Sequence, residues 1–335
     1  MTENIFPYNM SLIDWAGKFK VLYENNDQHR HPEDFWTGVM AHLSVVGEAI
    51  RKTDYRELLE AAAHAFCWMS GYVTKCNTGE DPLFKIDHSL AEMVALKFPW
   101  KCGHCGEKTC KCHPVKMDEA NDKAAKYREL FSDWSMPINW GDWTFRHFID
   151  MFWKIYGGKI HLQTLENIGF HLLEEAGEEA KAVRQLVGLR GITKQNFDGI
   201  NDEYINNLSS IPNIVDEYEN SIKFLKSNYN QASEAQAKKS IDYTSNLPGV
   251  LKARLCLSKM DFVIELADTF SWLCAVLLKV EKTLERLDSK LYDELKIENY
   301  LHKTYKIDDT NSDAICYACE KSSCRCLFFP LIVKP

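Results

Sequence analysis

The chain has 335 residues, 45% apolar and 26% charged, a balance that excludes a disordered or fibrous chain and leaves room for about two folded units. Lysine and arginine number 40 against 48 acidic residues, a net charge of −8, and no long basic block occurs, which argues against duplex nucleic acid as a partner. The first twenty residues carry Glu3, Asp14, Lys18 and Lys20 and lack an apolar signal segment, so a cytoplasmic, reducing setting is expected.

In chain order, Val39 to Lys52 and Tyr55 to Thr74 have apolar positions at helical spacing, good helix formers and no proline, and read as a pair of helices. A cysteine segment follows, Cys102-Gly-His-Cys105 running to Cys110-Lys-Cys112, then a polar stretch around Met117 to Asp133 that reads as a joint between units. Trp140, Trp143 and Trp153 open the second part and supply aromatic surface for a core or a stacked ring. His171 to Val187 and Lys259 to Lys282 repeat the helix pair. Between them, Gly188 to Asn207 and Ser227 to Pro248 are polar, and Pro212 opens an amphipathic stripe through Val215, Tyr218, Ile222 and Leu225. Phe262 to Val280 is long and apolar, but Glu265, Asp268 and Lys279 interrupt it, so a buried helix is expected and not a membrane span. Cys316-Tyr-Ala-Cys319 running to Cys324-Arg-Cys326 closes the series. No alternating strand pattern of useful length occurs, so the fold class is all-α.

The two cysteine segments share one spacing, C-x₂-C-x₄-C-x-C, and hold eight of the twelve cysteines. Four thiolates within eleven residues can close a tetrahedral Zn²⁺ site, so Cys102, Cys105, Cys110 and Cys112 form one expected structural knuckle and Cys316, Cys319, Cys324 and Cys326 a second. An iron–sulfur cluster is the alternative occupant. Sliding the chain on itself extends the repeat: an offset of 130 pairs His31 with His161, Gly47 with Gly177 and Glu48 with Glu178, and an offset of 204 pairs His64 with Asp268. The chain therefore reads as two tandem units, residues 1–125 and 126–335, the second carrying about 74 extra residues within 186–258.

The second unit concentrates acids. Glu175 and Glu178, and Glu265 and Asp268, are each three residues apart and share a helical face. A helix as apolar as Phe262 to Leu278 is mostly buried, and a buried carboxylate needs a hydrogen bond, a cationic partner or a metal. Hard oxygen donors without an organised histidine set favour Mg²⁺ or Mn²⁺ over zinc.

Glu175-Ala-Gly-Glu178 followed at a distance by Glu265-Leu-Ala-Asp268 resembles the E-x-x-E and E-x-x-D motifs of the MazG-like, all-α nucleoside triphosphate pyrophosphohydrolases, with 86 residues between the two motifs here. The resemblance implies Mg²⁺ held by Glu175, Glu178, Glu265 and Asp268, a nucleoside triphosphate substrate, cleavage to a monophosphate and pyrophosphate, and assembly of such helical units in pairs, as a pseudo-dimer within the chain or a homodimer of chains. Glu174 is the expected group for orienting or deprotonating water. At the matching positions the first unit has Val45, Glu48, Ala61 and His64, so it reads as a scaffold lending residues such as Trp36, Lys52, His64 or Trp68 to the pocket. The alternative is a non-catalytic nucleotide-sensing or assembly module that keeps the helical core.

Overall fold

A computed structural model describes residues 10–79, 84–86, 88–98, 100, 102, 107–111, 140–189, 249–287, 295–306, 314–316 and 318–324. The secondary structure over these residues is helical, apart from a single antiparallel bridge between Ser11 and Thr144. The helices are α1 (Leu12–Asp27), α2 (Pro32–Lys52), α3 (Tyr55–Thr78), α4 (Leu90–Lys97), α5 (Phe145–Leu162), α6 (Leu165–Leu189), α7 (Gly249–Leu287) and α8 (Ile297–Tyr305), with a one-turn 3₁₀ helix at Trp140–Asp142. No helix among the described residues is long and apolar enough to cross a membrane.

Local chemistry sets the starts of these helices. Ser11 accepts from the Asp14 N–H at 3.1 Å while Asp14 accepts from the Ser11 N–H at 3.2 Å, a reciprocal cap on α1. Thr144 and His147 do the same for α5, and Ser89 and Glu92 for α4. Pro32 occupies the first position of α2, where its missing N–H costs nothing. α2 ends at Thr53, which turns into the left-handed region (φ 57°), and Asp54 at once caps α3 by accepting from Glu57 N–H at 3.0 Å. That two-residue corner folds α2 back onto α3.

Packing joins both parts of the chain into one core. α2 lies on α3 and α6 on α7, and α2 meets α6 between them. α1 covers α3 and α5 covers α7. The C-terminal arms cross over: α4 packs on α7, and α8 packs on α3. Phe66, Phe145, Phe148 and Phe270 meet in the middle, with ring centroids 4.6 Å apart for Phe66 and Phe145 and 5.7 Å for Phe148 and Phe270. All four side chains are buried.

Contacts recur in matched pairs. The Leu22 carbonyl accepts from Cys324 N–H at 2.8 Å, and the Ile155 carbonyl accepts from Cys110 N–H at 2.8 Å. Cys102 N–H donates to the Glu107 carbonyl, and Cys316 N–H to that of Lys321, both at 2.9 Å. Lys75 caps the end of α1 by donating to the Asp27 carbonyl at 2.7 Å, and Lys279 caps α5 by donating to that of Ile160 at 3.2 Å. Each cysteine segment thus docks on the first helix of the opposite part.

These pairs correct the repeat register. Ser11 matches Thr144 and Leu22 matches Ile155, an offset of 133 and not 130. Buried Val39, Leu43, Val46 and Ala49 then match buried Leu172, Ala176, Glu179 and Ala182. His31, at the N-cap of α2, matches Thr164 ahead of α6, whereas His161 lies in the last turn of α5. Three residues is close to one helical turn, so either register keeps similar residue types on one face, and only caps and hydrogen bonds tell them apart.

α6 continues to Leu189 and α7 begins at Gly249, so part of the extra length lengthens these helices. The Pro212 stripe, the polar segments beside it from residue 190 on and the joint around Met117 to Asp133 lie outside the described residues.

Candidate functional site

The extended contact between α6 and α7 brings acids from both helices together. Glu175 and Glu178 face Glu265, and one carboxylate oxygen of each lies within 4.8 Å of the others. Glu265 is buried, Glu175 half-buried and Glu178 exposed, so the cluster runs from the core to solvent. Burial, then the charge of Asp268, pushes the Glu175 carboxyl up to about 8. Three carboxylates at this separation repel unless protons or a cation intervene, and their hard oxygen donors fit Mg²⁺ or Mn²⁺.

Glu179 sits deeper. It is fully buried, neither of its oxygens has a hydrogen-bond partner among the described residues, and burial followed by the charge of Glu265 raises its proton affinity well above the ordinary carboxylate range. An orphaned buried carboxyl thus lies beside three converging ones, an arrangement that calls for a physical explanation.

Asp268 is one turn from Glu265 but has its own cation. Lys97, from α4, forms an ion pair with it and donates to the Ile264 carbonyl at 3.3 Å. Both side chains are largely buried, Lys97 at 15% and Asp268 at 19% exposure. Glu174, expected to handle water, does not join the group: its side chain is 65% exposed and meets the His171 ring at 3.2 Å.

A cavity of about 340 Å³ opens beside Glu175 and Asp268. Trp272, stacked on His171 with centroids 4.6 Å apart, forms one side, and Phe98, Tyr156, Gln163 and Cys110 form others. Phe98 and Cys110 come from the first part of the chain. The residues expected to be lent from there are placed elsewhere. Trp36 and His64 are buried in the core, Lys52 pairs with Glu48 at 2.7 Å, and Trp68 lies under the Arg30 guanidinium at 4.9 Å.

With the offset at 133, the first-part counterparts of Glu175, Glu178, Glu265 and Asp268 are His42, Val45, Ala61 and His64, not Val45, Glu48, Ala61 and His64. None is an acid. His42 and His64 lie with ring centroids 5.0 Å apart, and burial depresses them to about 4 and about 3, so both are neutral. Tyr305 meets His64 Nδ1 at 3.2 Å, in the place of the Lys97–Asp268 pair. Arg30 fills the matching cavity, pairing with Asp27 at 2.8 Å over the Trp68 ring, and leaves about 20 Å³.

Cysteine sulfurs gather at both arms. Cys316, Cys319 and Cys324 lie within 4.8 Å of one another, a possible three-thiol metal site whose fourth expected ligand, Cys326, is outside the described residues. The Cys324 side chain's hydrogen bond brings the Cys316 thiol down to about 5, and Asn26 donates to the Cys324 sulfur at 3.1 Å. In the first segment the Cys102 and Cys110 sulfurs are 3.4 Å apart, and Tyr156 donates to Cys102 at 3.5 Å. Cys105 and Cys112 lie outside the described residues.

No family model, curated protein or solved structure matches the chain. The residue-level geometry therefore carries the functional reading.

Two groups at this site escaped the sequence reading. Glu179 stands beside Glu178 and belongs to neither acidic motif; its match to buried Val46 is the available signal, visible only in the 133 register. Lys97 carried no motif, and only the crossing of α4 onto α7 brings it to Asp268. Of the tryptophans, Trp143 packs edge-on against Trp100 and Phe148, and Trp153 is 37% exposed beside Lys282. Neither borders the acidic cluster's cavity.

Proposed function

We propose that the protein is a Mg²⁺-dependent pyrophosphohydrolase of nucleoside triphosphates, built from two MazG-like helical units of which only the second is equipped for chemistry. The observation that carries this reading is the convergence of Glu175, Glu178 and Glu265 from two helices beside an open cavity. In this reading these three carboxylates hold the ion, and the E-x-x-D motif brings Asp268 to the same end. A divalent ion bound there supplies charge neutralisation for phosphate oxygens and acidifies a water molecule.

The chain's own residues do the rest. Glu175 borders the cavity, so the ion it would hold with Glu178 and Glu265 faces the space open to a substrate. Trp272 and Tyr156 offer aromatic surface to a base, and Gln163 an amide. The paired contacts of the two parts support tandem units whose contact, α2 on α6, takes the place of a dimer interface. Cys102, Cys105, Cys110 and Cys112, and Cys316, Cys319, Cys324 and Cys326, then hold one structural Zn²⁺ in each unit, pinning each arm to the opposite unit. A non-catalytic nucleotide-sensing module is the second reading, favoured by one observation: Asp268 is already neutralised by Lys97.

The test is a screen of canonical, deoxy and modified nucleoside triphosphates with Mg²⁺, following pyrophosphate. Release of pyrophosphate, lost in Glu178→Gln, supports the enzyme. Orthophosphate alone, or nothing, refutes it, and nucleotide binding without turnover supports the module.

A further inference from the structure

The acidic centre joins residues from both parts of the chain. Glu175, Glu178 and Glu265 project from α6 and α7 and bring their oxygens within 4.8 Å of one another. Asp268, one turn along α7, is held by Lys97 of α4, whose ammonium also takes the Ile264 carbonyl at 3.3 Å and lies 5.7 Å from the Phe98 ring centroid. A lysine anchored by a carboxylate, a carbonyl and an aromatic face, and 15% exposed, is a built part of the site and not a surface ion pair.

Its partner Asp268 borders the same cavity as Glu175. The fully buried Glu179, next to Glu178 on α6, has no hydrogen-bond partner among the described residues and is a separate sign of unmatched acid at this centre. In the other part of the chain the counterpart of Asp268 is His64, which meets the Tyr305 hydroxyl, and no acids converge there among the described residues.

We propose that Lys97 is a positioning residue that keeps Asp268 out of the metal's ligand set, so that Glu175, Glu178 and Glu265 take a single divalent ion and the α4 ammonium serves as the site's second cation. This inference rests on the metal-centre reading above and departs from it over Asp268. Removing the ammonium takes the positive charge away from the Asp268 carboxylate beside the cluster. Metal binding then becomes tighter, whereas loss of a merely structural lysine would weaken it.

The experiment titrates the full chain, its cysteine segments loaded with zinc, with Mn²⁺, counting bound ions by electron paramagnetic resonance. The wild type should bind one Mn²⁺. Lys97→Met should bind it about tenfold more tightly or take up a second ion, while Lys97→Arg, which keeps the charge, stays within about threefold of wild type. Asp268→Asn should change the affinity less than about fivefold, against a loss of more than about thirtyfold for Glu178→Gln.

If Lys97→Met binds Mn²⁺ as the wild type does, or more weakly with its circular dichroism intact, the assignment of Lys97 is overturned. If Asp268→Asn is as damaging as Glu178→Gln, it is overturned whatever the fold of the Lys97 variants. A wild type that binds no Mn²⁺ at all overturns the metal centre itself, an outcome distinct from the other two.

Discussion

Replacing Glu179 by methionine should stabilise the metal-free protein. The Glu179 carboxyl is fully buried without a hydrogen-bond partner among the described residues, and burial raises its proton affinity well above the ordinary carboxylate range. An unsatisfied buried polar group of this kind costs about 1–3 kcal/mol. Methionine has a similar length, no polar hydrogen and enough torsional freedom to fill the same space, so most of that cost is recovered. At roughly 2 °C per kcal/mol for a chain of this size, the melting temperature should rise by about 2–6 °C. Scanning calorimetry at pH 7 in buffer without Mg²⁺ or chelator measures it, since a chelator would also strip the cysteine segments. Glu174→Met, at a side chain 65% exposed, is the control and should stay within about 0.5 kcal/mol of wild type. A fall in melting temperature for Glu179→Met would show that the carboxyl has a partner or carries charge in the native state, and would refute the reasoning.

Three further outcomes are expected. Glu178→Gln should lower turnover at least about 100-fold, while Glu48→Gln, at an exposed residue paired with Lys52, should leave it within about twofold in the same pyrophosphate assay, because Glu48 is the counterpart of Lys181 and not of Glu178. Glu175 carries a native pKa raised to about 8 from the ordinary 4.5, so between these values the folded state holds a proton that the unfolded state has lost. Stability from this group therefore falls as pH rises: without Mg²⁺ the melting temperature of wild type relative to Glu175→Gln should drop between pH 6.5 and 8, and saturating Mg²⁺ should flatten the difference, which paired pH series of thermal melts will show. Elemental analysis of protein purified under reducing, chelator-free conditions should find about two Zn²⁺ per chain, and Cys316→Ser should lower the melting temperature far more than it lowers turnover of the protein that remains folded. Iron, or neither metal, would overturn the zinc assignment.

Much of the helical layout was legible because its signals are local. The apolar stripe of α2, the run from Phe262 to Leu278 and the absence of proline inside either reflect rules that act within a few residues. The acids Glu175, Glu178 and Glu265 were legible for the same reason, since a three-residue spacing fixes a shared helical face wherever the helix goes. The cysteine spacings likewise fixed which sulfurs lie close along the chain, and the structure brings Cys316, Cys319 and Cys324 together. Helix ends were less legible: α2 starts at Pro32 and not Val39, because the proline and the Asp34 carboxylate accepting from the His31 N–H at 2.8 Å extend it beyond its apolar stripe.

The sequence by itself determined the helical periods, the two cysteine segments and the pairing of acids along each helix, all consequences of spacing. Only the tertiary structure decided that Glu179 is buried and Glu174 exposed, although they lie on one helix five residues apart, because burial depends on which face another helix covers. It also decided that Lys97 meets Asp268 and that Arg30 closes one cavity while its counterpart Gln163 leaves the other open. These contacts join residues up to 171 positions apart. Their geometry comes from the crossing of α4 and α8 onto opposite parts of the chain, which is a property of packing and has no period in the sequence.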